Sequence, residues 1–266
     1  MQKLTNNKSL LLATAFAAVA VLAPFGQVSA GSSVSVGVDY ASGEYGTTTT
    51  TNTFSVPLSL KHQTGPWSLR ASVPYVYTVG TFNREEGTDN SGKGSGNRRE
   101  DTTKRSESGL GDLTIAAAYN LIDNPEGFSF DIGAKTKIAT ADKAKTLITS
   151  GENDYSFQVD AFRSLSKMVL FATLGYTIKG EPAGVSLRNP FYSTLGVSFS
   201  PENGHTIGAA WSYRQKLTSL GDPVSDLTAF YSMKINPTQK IQFYGLKGLS
   251  NGSPDNGGGV VLTHAF

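Results

Sequence analysis

Apolar and polar residues alternate with a period of two from near residue 34 to the end of the 266-residue chain. Val34, Val36, Val38 and Tyr40 share one face, with Ser35, Gly37 and Asp39 opposite. The pattern returns at Phe54, Val56, Leu58 and Leu60, then at Trp67, Leu69, Ala71, Val73, Tyr75 and Tyr77. Leu113, Ile115, Ala117 and Tyr119 form a fourth set. Phe128, Phe130, Ile132, Ala134 and Ile138 form a fifth, and Tyr155, Phe157, Val159 and Ala161 a sixth. The seventh, Leu170 to Ile178, is less clean. Phe191, Leu195, Val197 and Phe199 follow, then Ile207, Ala209, Trp211 and Tyr213, then Leu227, Ala229, Tyr231 and Met233. Ile241 and Phe243 open an eleventh stretch, and Val260, Leu262, His264 and Phe266 make the twelfth. Alternation of this kind predicts β-strands with one apolar face. Twelve is an even number, as a single-chain bacterial barrel requires.

The connections alternate in length. His62–Pro66, Ile122–Gly127, Ser164–Lys167, Pro201–Gly204 and Asn236–Gln239 are short and rich in turn-forming residues. Those between them include Ser42–Thr51, Gly80–Gly109, Thr140–Asn153 and Gly180–Pro190, and are longer. Short inner turns and longer outer loops are the pattern of an outer-membrane barrel, whereas a soluble β-sandwich has no reason to keep it. Aromatic residues such as Tyr40, Tyr77, Phe128, Tyr155, Phe191 and Tyr213 fall toward strand ends on the apolar parity, where interfacial belts place them.

Both termini fit this compartment. Residues 1–30 read as a secretory signal peptide: Lys3 and Lys8 precede the apolar run Leu10–Leu22, and Val28-Ser29-Ala30 makes a small-residue cleavage site. A membrane-anchoring helix is the alternative, but the run falls short of the ~20 residues that span a bilayer. Residues 31–266 are then one barrel domain. The last strand ends at Phe266 and resembles the closing strand of bacterial outer-membrane barrels, in which a C-terminal Phe is part of the signal read by the barrel assembly machinery.

Composition narrows the partners. Removing Lys3 and Lys8 from 23 basic residues leaves 21 against 21 acids, a formally neutral mature chain that argues against nucleic acid. There is no cysteine, which excludes disulfides and thiolate chemistry. The expected surroundings are outer-membrane lipid and lipopolysaccharide. No cofactor or metal is implied. The histidines, His62, His205 and His264, lie at predicted inner turns or on the lipid parity, away from the outer leaflet where a lipid-hydrolysing Ser–His pair would sit. No HExxH, P-loop or EF-hand sequence occurs. The sequence thus predicts no enzyme.

The parity opposite the apolar face is polar and of mixed charge. It carries Asp39, Arg70, Asp112, Asp131, Lys135, Lys137, Gln158, Asp160, Ser212, Arg214, Lys216, Asp226 and Lys234. Two readings stand: a hydrated pore whose charged wall steers a small solute, or a salt-bridged plug that seals a narrow barrel and leaves a structural or surface-interaction protein. Lys135 with Lys137, and Arg214 with Lys216, should point inward in pairs. Gly80–Gly109 is highly charged and lacks apolar residues between Phe82 and Leu110, so it is either an external loop or a gate that dips inward, and its charges suit lipopolysaccharide phosphates. Pro57 and Pro74 sit inside strand patterns at equal distances from the Gly65-Pro66 turn, which could bring them face to face at a bend or lateral opening, or at an ordinary bulge.

Ser108-Gly109-Leu110-Gly111-Asp112-Leu113, running into Ala118-Tyr119-Asn120-Leu121, resembles a motif of the outer-membrane transporter family named after the meta-pathway of phenol degradation. Val73-Pro74-Tyr75 is similar to an element of the same family. The resemblance implies a barrel suspected of passing small aromatic or hydrophobic solutes, and supplies no catalytic residues.

Overall fold

The structure is a computed structural model that describes residues 31–46, 48–81, 104–219 and 221–266. The expected signal peptide and the greater part of the 80–109 loop, from 82 to 103, lie outside the described residues. Thirteen strand segments make one closed antiparallel sheet: β1 (Gly31–Gly43), β2 (Thr51–Thr64), β3 (Trp67–Thr81), β4 (Lys104–Leu110), β5 (Leu113–Ile122), β6 (Phe128–Ile138), β7 (Asp154–Leu165), β8 (Met168–Ile178), β9 (Phe191–Phe199), β10 (His205–Arg214), β11 (Val224–Asn236), β12 (Gln239–Gly248) and β13 (Asn256–Ala265). Apart from β4 and β5, which both pair with β3 and not with each other, each pairs with its neighbours in chain order, and β1 closes the ring against β13 from Ser33↔Ala265 to Ser42↔Asn256.

The thirteen segments form twelve staves, because β4 and β5 are one membrane-crossing strand with a break. β3 pairs its upper half with β4 and its lower half with β5. The break falls at Gly111–Asp112, where Gly111 N–H reaches the Pro74 carbonyl at 2.8 Å. Pro74 has no N–H to offer the ladder in return. The two strand prolines are direct cross-strand partners, Pro57↔Pro74. Glycines flank them: a Cβ on Gly111 would lie 2.9 Å from Pro74 Cγ, and one on Gly37 would lie 3.1 Å from Pro57 Cγ. The β1–β2 ladder also skips here, from Val36↔Leu58 to Asp39↔Ser55. The strand entering Leu113 therefore begins earlier than its alternation suggests. Lys104–Gly109, expected as loop, is strand, because the edge of β3 above Pro74 still offers a ladder.

The usual inside and outside are exchanged. Leu60, Leu110, Phe157, Leu174 and Leu195 are more than half exposed on the outer wall, while Thr78, Thr228 and Ser232 are fully buried inside. Such a surface is stable only in hydrocarbon, and closure leaves no unpaired edge to face it. Among the described residues no helix is long and apolar enough to cross a membrane. Aromatic pairs ring both ends. Trp67–Tyr119 (4.9 Å between centroids), Phe128–Phe130 (6.2 Å) and His264–Phe266 (4.9 Å) sit at the short-turn rim; Tyr176–Phe191 (4.8 Å) and Trp211–Tyr213 (6.1 Å) sit at the long-loop rim. At the short-turn rim the chain reverses in as few as two residues. Gly65 supplies the positive φ (52°) that such a turn needs, whereas Ser166 adopts φ 57° with a side chain.

Candidate functional site

Inside the barrel the wall is built as rows of paired small polar residues: Ser59–Ser72 (2.8 Å), Thr53–Thr78 (3.1 Å), Ser156–Thr177 (2.9 Å) and Ser35–Thr263 (2.9 Å). Their hydroxyls satisfy one another and keep the wall thin. From β8 to β13, whose edges also carry Thr177 and Thr263, larger side chains thicken the wall. There Phe171, Tyr192, Phe230 and Tyr244 point inward, and each has a glycine as direct cross-strand partner: Gly196, Gly175, Gly208 and Gly259. A Cβ added to Gly196 or Gly175 would fall 2.2 Å from the facing ring, so the rings lie flat on bare backbone. Large residues filling one side and small ones the other leave an eccentric cavity.

That cavity, about 130 Å³, lies against β1, β2, β3, β5, β6 and β7. Its sides are Pro57, Pro74, Val76, Ala116, Ala117 and Ala134, and its polar groups include Asp39, Arg70, Asp112, Lys135, Lys137 and Gln158. Leu147 and Ile148 line it as well. These two belong to the connection between β6 and β7, expected over Thr140–Asn153 as a longer outer loop. Instead it folds inward: Leu147 is 2% and Ile148 6% exposed.

Asp112 holds the loop down. One carboxylate oxygen accepts from Lys137 Nζ (2.9 Å) and Thr149 Oγ1 (2.7 Å); the other accepts from the Ala141 amide (3.1 Å). Lys137 extends the clasp to Ser150 Oγ (3.0 Å), the Glu152 carbonyl (2.9 Å) and Asp154 (3.6 Å). Asp154 also pairs with Lys179 at 2.6 Å, just beyond β8; burial pushes the Lys179 ammonium down to about 8, with Asp154 opposing. A second clasp comes from β4: Glu107 Oε2 accepts from the Leu147 amide (2.9 Å), and Lys145 Nζ donates to the Ser108 carbonyl. The break at Gly111 thus delivers Asp112 into the lumen as a loop anchor.

Of the residues expected to line the lumen, Arg70, Asp112, Lys135 and Lys137 meet at this cavity. Asp131 and Asp160 are buried lower on the wall, where Asp131 accepts from Asn120 Nδ2 (2.7 Å) and Asp160 from Gln158 Nε2 (2.7 Å) and Thr173 Oγ1 (2.5 Å). Lys135 and Lys137 share a face but not a role. Lys137 is occupied by the clasp, whereas Lys135 Nζ lies 5.7 Å from the Tyr192 ring centroid. Arg214 is the last residue of β10, opposite Tyr192 and Val224. Lys216 does not share its wall: the strand ends at Arg214, and Lys216 Nζ bonds the Ser219 carbonyl (3.2 Å) within the outer loop.

The histidines have local roles. His62 Nδ1 and Ser32 Oγ are 3.0 Å apart at the short-turn rim, and His205 Nδ1 is 2.8 Å from Tyr231 Oη. Among the described residues no cluster of His, Asp and Glu is arranged to hold a metal. Two contributors were legible but unused in the sequence. Leu147-Ile148 is an apolar pair within a polar connection, and the glycine–aromatic pairs lie on the polar parity.

Solved structures of similar shape are barrels. An outer membrane channel from Pseudomonas putida F1 superposes with a TM-score of 0.68 at 12% identity, over 91% of this chain and 97% of that one. The KdgM porin gives a TM-score of 0.54 at 12% identity, covering 87% and 99%. The β domain of the Bordetella autotransporter Brka gives 0.52 at 12% identity, covering 90% and 100%. No curated protein matches the chain. The family described as "Putative MetA-pathway of phenol degradation" matches over residues 87–226, which takes in the Gly109–Leu113 motif, the Asp112 clasp and the inward loop. A closed twelve-stave transmembrane barrel of outer-membrane type, matched over more than half its length, places this chain in that family.

Proposed function

We propose that this barrel passes small solutes, aromatic or otherwise largely apolar, across the outer membrane, and that it carries out no chemistry on them. The observation that carries this reading is the eccentric cavity: about 130 Å³ of space in which an apolar part, made by prolines, alanines, Leu147 and Ile148, adjoins a polar part of serines, threonines and charged groups. It is of the size that accepts a single aromatic ring, since a dry apolar cavity of about 150 Å³ binds benzene. The family's phenol-degradation description agrees with that solute class. The P. putida channel and the KdgM porin support passage as the general role of such a barrel. The inward loop then acts as the constriction through which a solute passes.

A second reading has its own observation. The flat-lying rings of Phe171, Tyr192, Phe230 and Tyr244, with the clasped loop, narrow the lumen from two sides. A fully sealed barrel would be a structural or surface-interaction protein.

Single-channel recording of the purified barrel in a planar bilayer separates the two. Discrete, reproducible conductance steps support passage. Lys135→Glu should then shift ion selectivity toward cations, because Lys135 lines the cavity and does not bind the loop clasp. A folded barrel without conductance supports the sealed reading.

A further inference from the structure

We propose that the cavity is a binding site for a single-ring aromatic amine in its ammonium form, with Asp39 taking the charge and the inward loop covering the ring. This rests on the reading of the lumen as a solute path and names the solute class.

Asp39 supplies the first argument. It lines the cavity from β1 and is only 8% exposed. Its partners are neutral: the Tyr244 hydroxyl donates to one carboxylate oxygen, and Ser55 Oγ donates to the other at 3.4 Å. Among the described residues no ammonium or guanidinium forms an ion pair with it; the close pairs join Lys137 to Asp112 and Asp154, and Lys179 to Asp154. A carboxylate offers about four lone-pair directions, so two donors, one of them distant, leave room for more. A carboxylate drawn out of bulk water without a counter-charge is unfavourable, and an incoming ammonium supplies that charge.

Register supplies the second. Asp39 is paired with Ser55 on β2, Ser55 with Val76 on β3, and Val76 with Gly109 on β4. The next inward row toward the long-loop rim runs Ala41, Thr53, Thr78 and Glu107. Glu107 is the residue whose Oε2 accepts from the Leu147 amide (2.9 Å). The loop is therefore hung from the row adjoining that of Asp39, which brings the buried Leu147 and Ile148 to the acidic end of the cavity. Pro57 and Pro74, themselves direct partners, stand just below.

The place of the basic residues supplies the third. Arg70 and Lys135 share a row through Ala116, and that row reaches β1 through Lys61 at Ser33. From Ser33 to Asp39 is roughly 20 Å along a strand of ordinary rise. Lys135 Nζ is set over the Tyr192 ring, and Lys137 is held in the clasp. The wall around Asp39 is instead made of hydroxyls and apolar groups. An ammonium has three donors and no acceptor. Asp39 accepts from it first, and the hydroxyl oxygens of Ser55 and Thr53, both on the cavity wall, offer the further acceptors. The ring fills the apolar part beside the prolines and the loop. A neutral ring leaves the carboxylate unmatched, an aromatic carboxylate is repelled by it, and an amine without a ring leaves the apolar part empty.

The test uses the full-length barrel folded in a non-ionic detergent and titrated calorimetrically near neutral pH with benzylamine hydrochloride, benzyl alcohol, sodium benzoate and methylamine hydrochloride. Benzylamine should bind saturably. Each of the other three should bind at least about tenfold more weakly, the scale of one charge-assisted hydrogen bond. Asp39→Asn should lower benzylamine affinity to that of benzyl alcohol and leave benzyl alcohol itself unchanged; heat-modifiability on gels checks that the variant is folded. Equal binding of benzylamine and benzyl alcohol, or of benzylamine and benzoate, to the unmodified barrel would overturn the proposal. Equal binding of methylamine would reduce the site to unspecific charge attraction and overturn it too, as would undiminished benzylamine affinity in folded Asp39→Asn. Binding does not depend on conduction: a barrel that conducts but does not prefer benzylamine defeats this inference alone, and one that prefers benzylamine without conducting defeats the channel reading alone.

Discussion

Asp112→Ala tests whether the inward loop is held by one carboxylate. The substitution removes three acceptor contacts together, from Lys137 Nζ, Thr149 Oγ1 and the Ala141 amide. A hydrogen bond to a charged group contributes about 1.5–3 kcal/mol net, so three would set an upper bound well above 4 kcal/mol if they were additive. They are not. Lys137 keeps Ser150, the Glu152 carbonyl and Asp154 at 3.6 Å, so its charge is not stranded as in a broken isolated pair. The Glu107–Leu147 bond on the other side of the loop is untouched. The remaining cost is about 2–3 kcal/mol, which makes loop release about 30- to 150-fold more populated. Amide exchange followed by mass spectrometry should show residues 139–149 exchanging faster by a factor of that order, with the strands unchanged. In a bilayer the same variant should show larger or noisier conductance. Asp112→Asn, which keeps an acceptor but loses the charge, should fall between. Unchanged protection of the loop in folded Asp112→Ala would refute the clasp.

Leu195 is 53% exposed on the outer wall in the middle of β9, between Ala172 and Trp211, so Leu195→Arg should destabilise the barrel by ~2–4 kcal/mol in lipid, as a charge at the midplane does. Thr194→Arg, one residue away on the lumen side, should cost far less; equal urea midpoints for the two would reverse the assigned faces. Phe266 donates its amide to the Ser32 carbonyl (2.9 Å) and packs edge-on against His264, so deleting it should lower the amount of heat-modifiable barrel recovered from outer membranes. Normal recovery would remove Phe266 from assembly. Trypsin added to intact cells should cleave at Arg84, Lys93, Arg98 or Arg99, in the connection at the long-loop rim; cleavage seen only after the outer membrane is permeabilised would invert the barrel.

Alternation placed the staves and their faces, though not the β4 segment above the Gly111 break, since a period-two apolar face has one stable solution when both sides of a sheet differ and no edge is left open. Leu195 outward and Thr194 inward, the even stave count, the opposed Pro57 and Pro74 and the short turns were all legible because they depend on spacing along one strand or across one hairpin. The inward loop was not. Its position depends on Asp112, 29 residues from its partner at Ala141, and on Glu107, 40 from Leu147. Periodicity carries no information about a connection that must be anchored from another stave. The same holds for charge. The sequence put Lys135 and Lys137 on one face, but only the closed sheet decided that Lys137 serves the clasp while Lys135 is aligned with Arg70 across Ala116. It also decided that the polar parity hides four rings on four glycines, so that the free space lies to one side. Local pattern determines which way a side chain points. What it meets there is fixed by barrel closure and register, which join residues far apart in the chain.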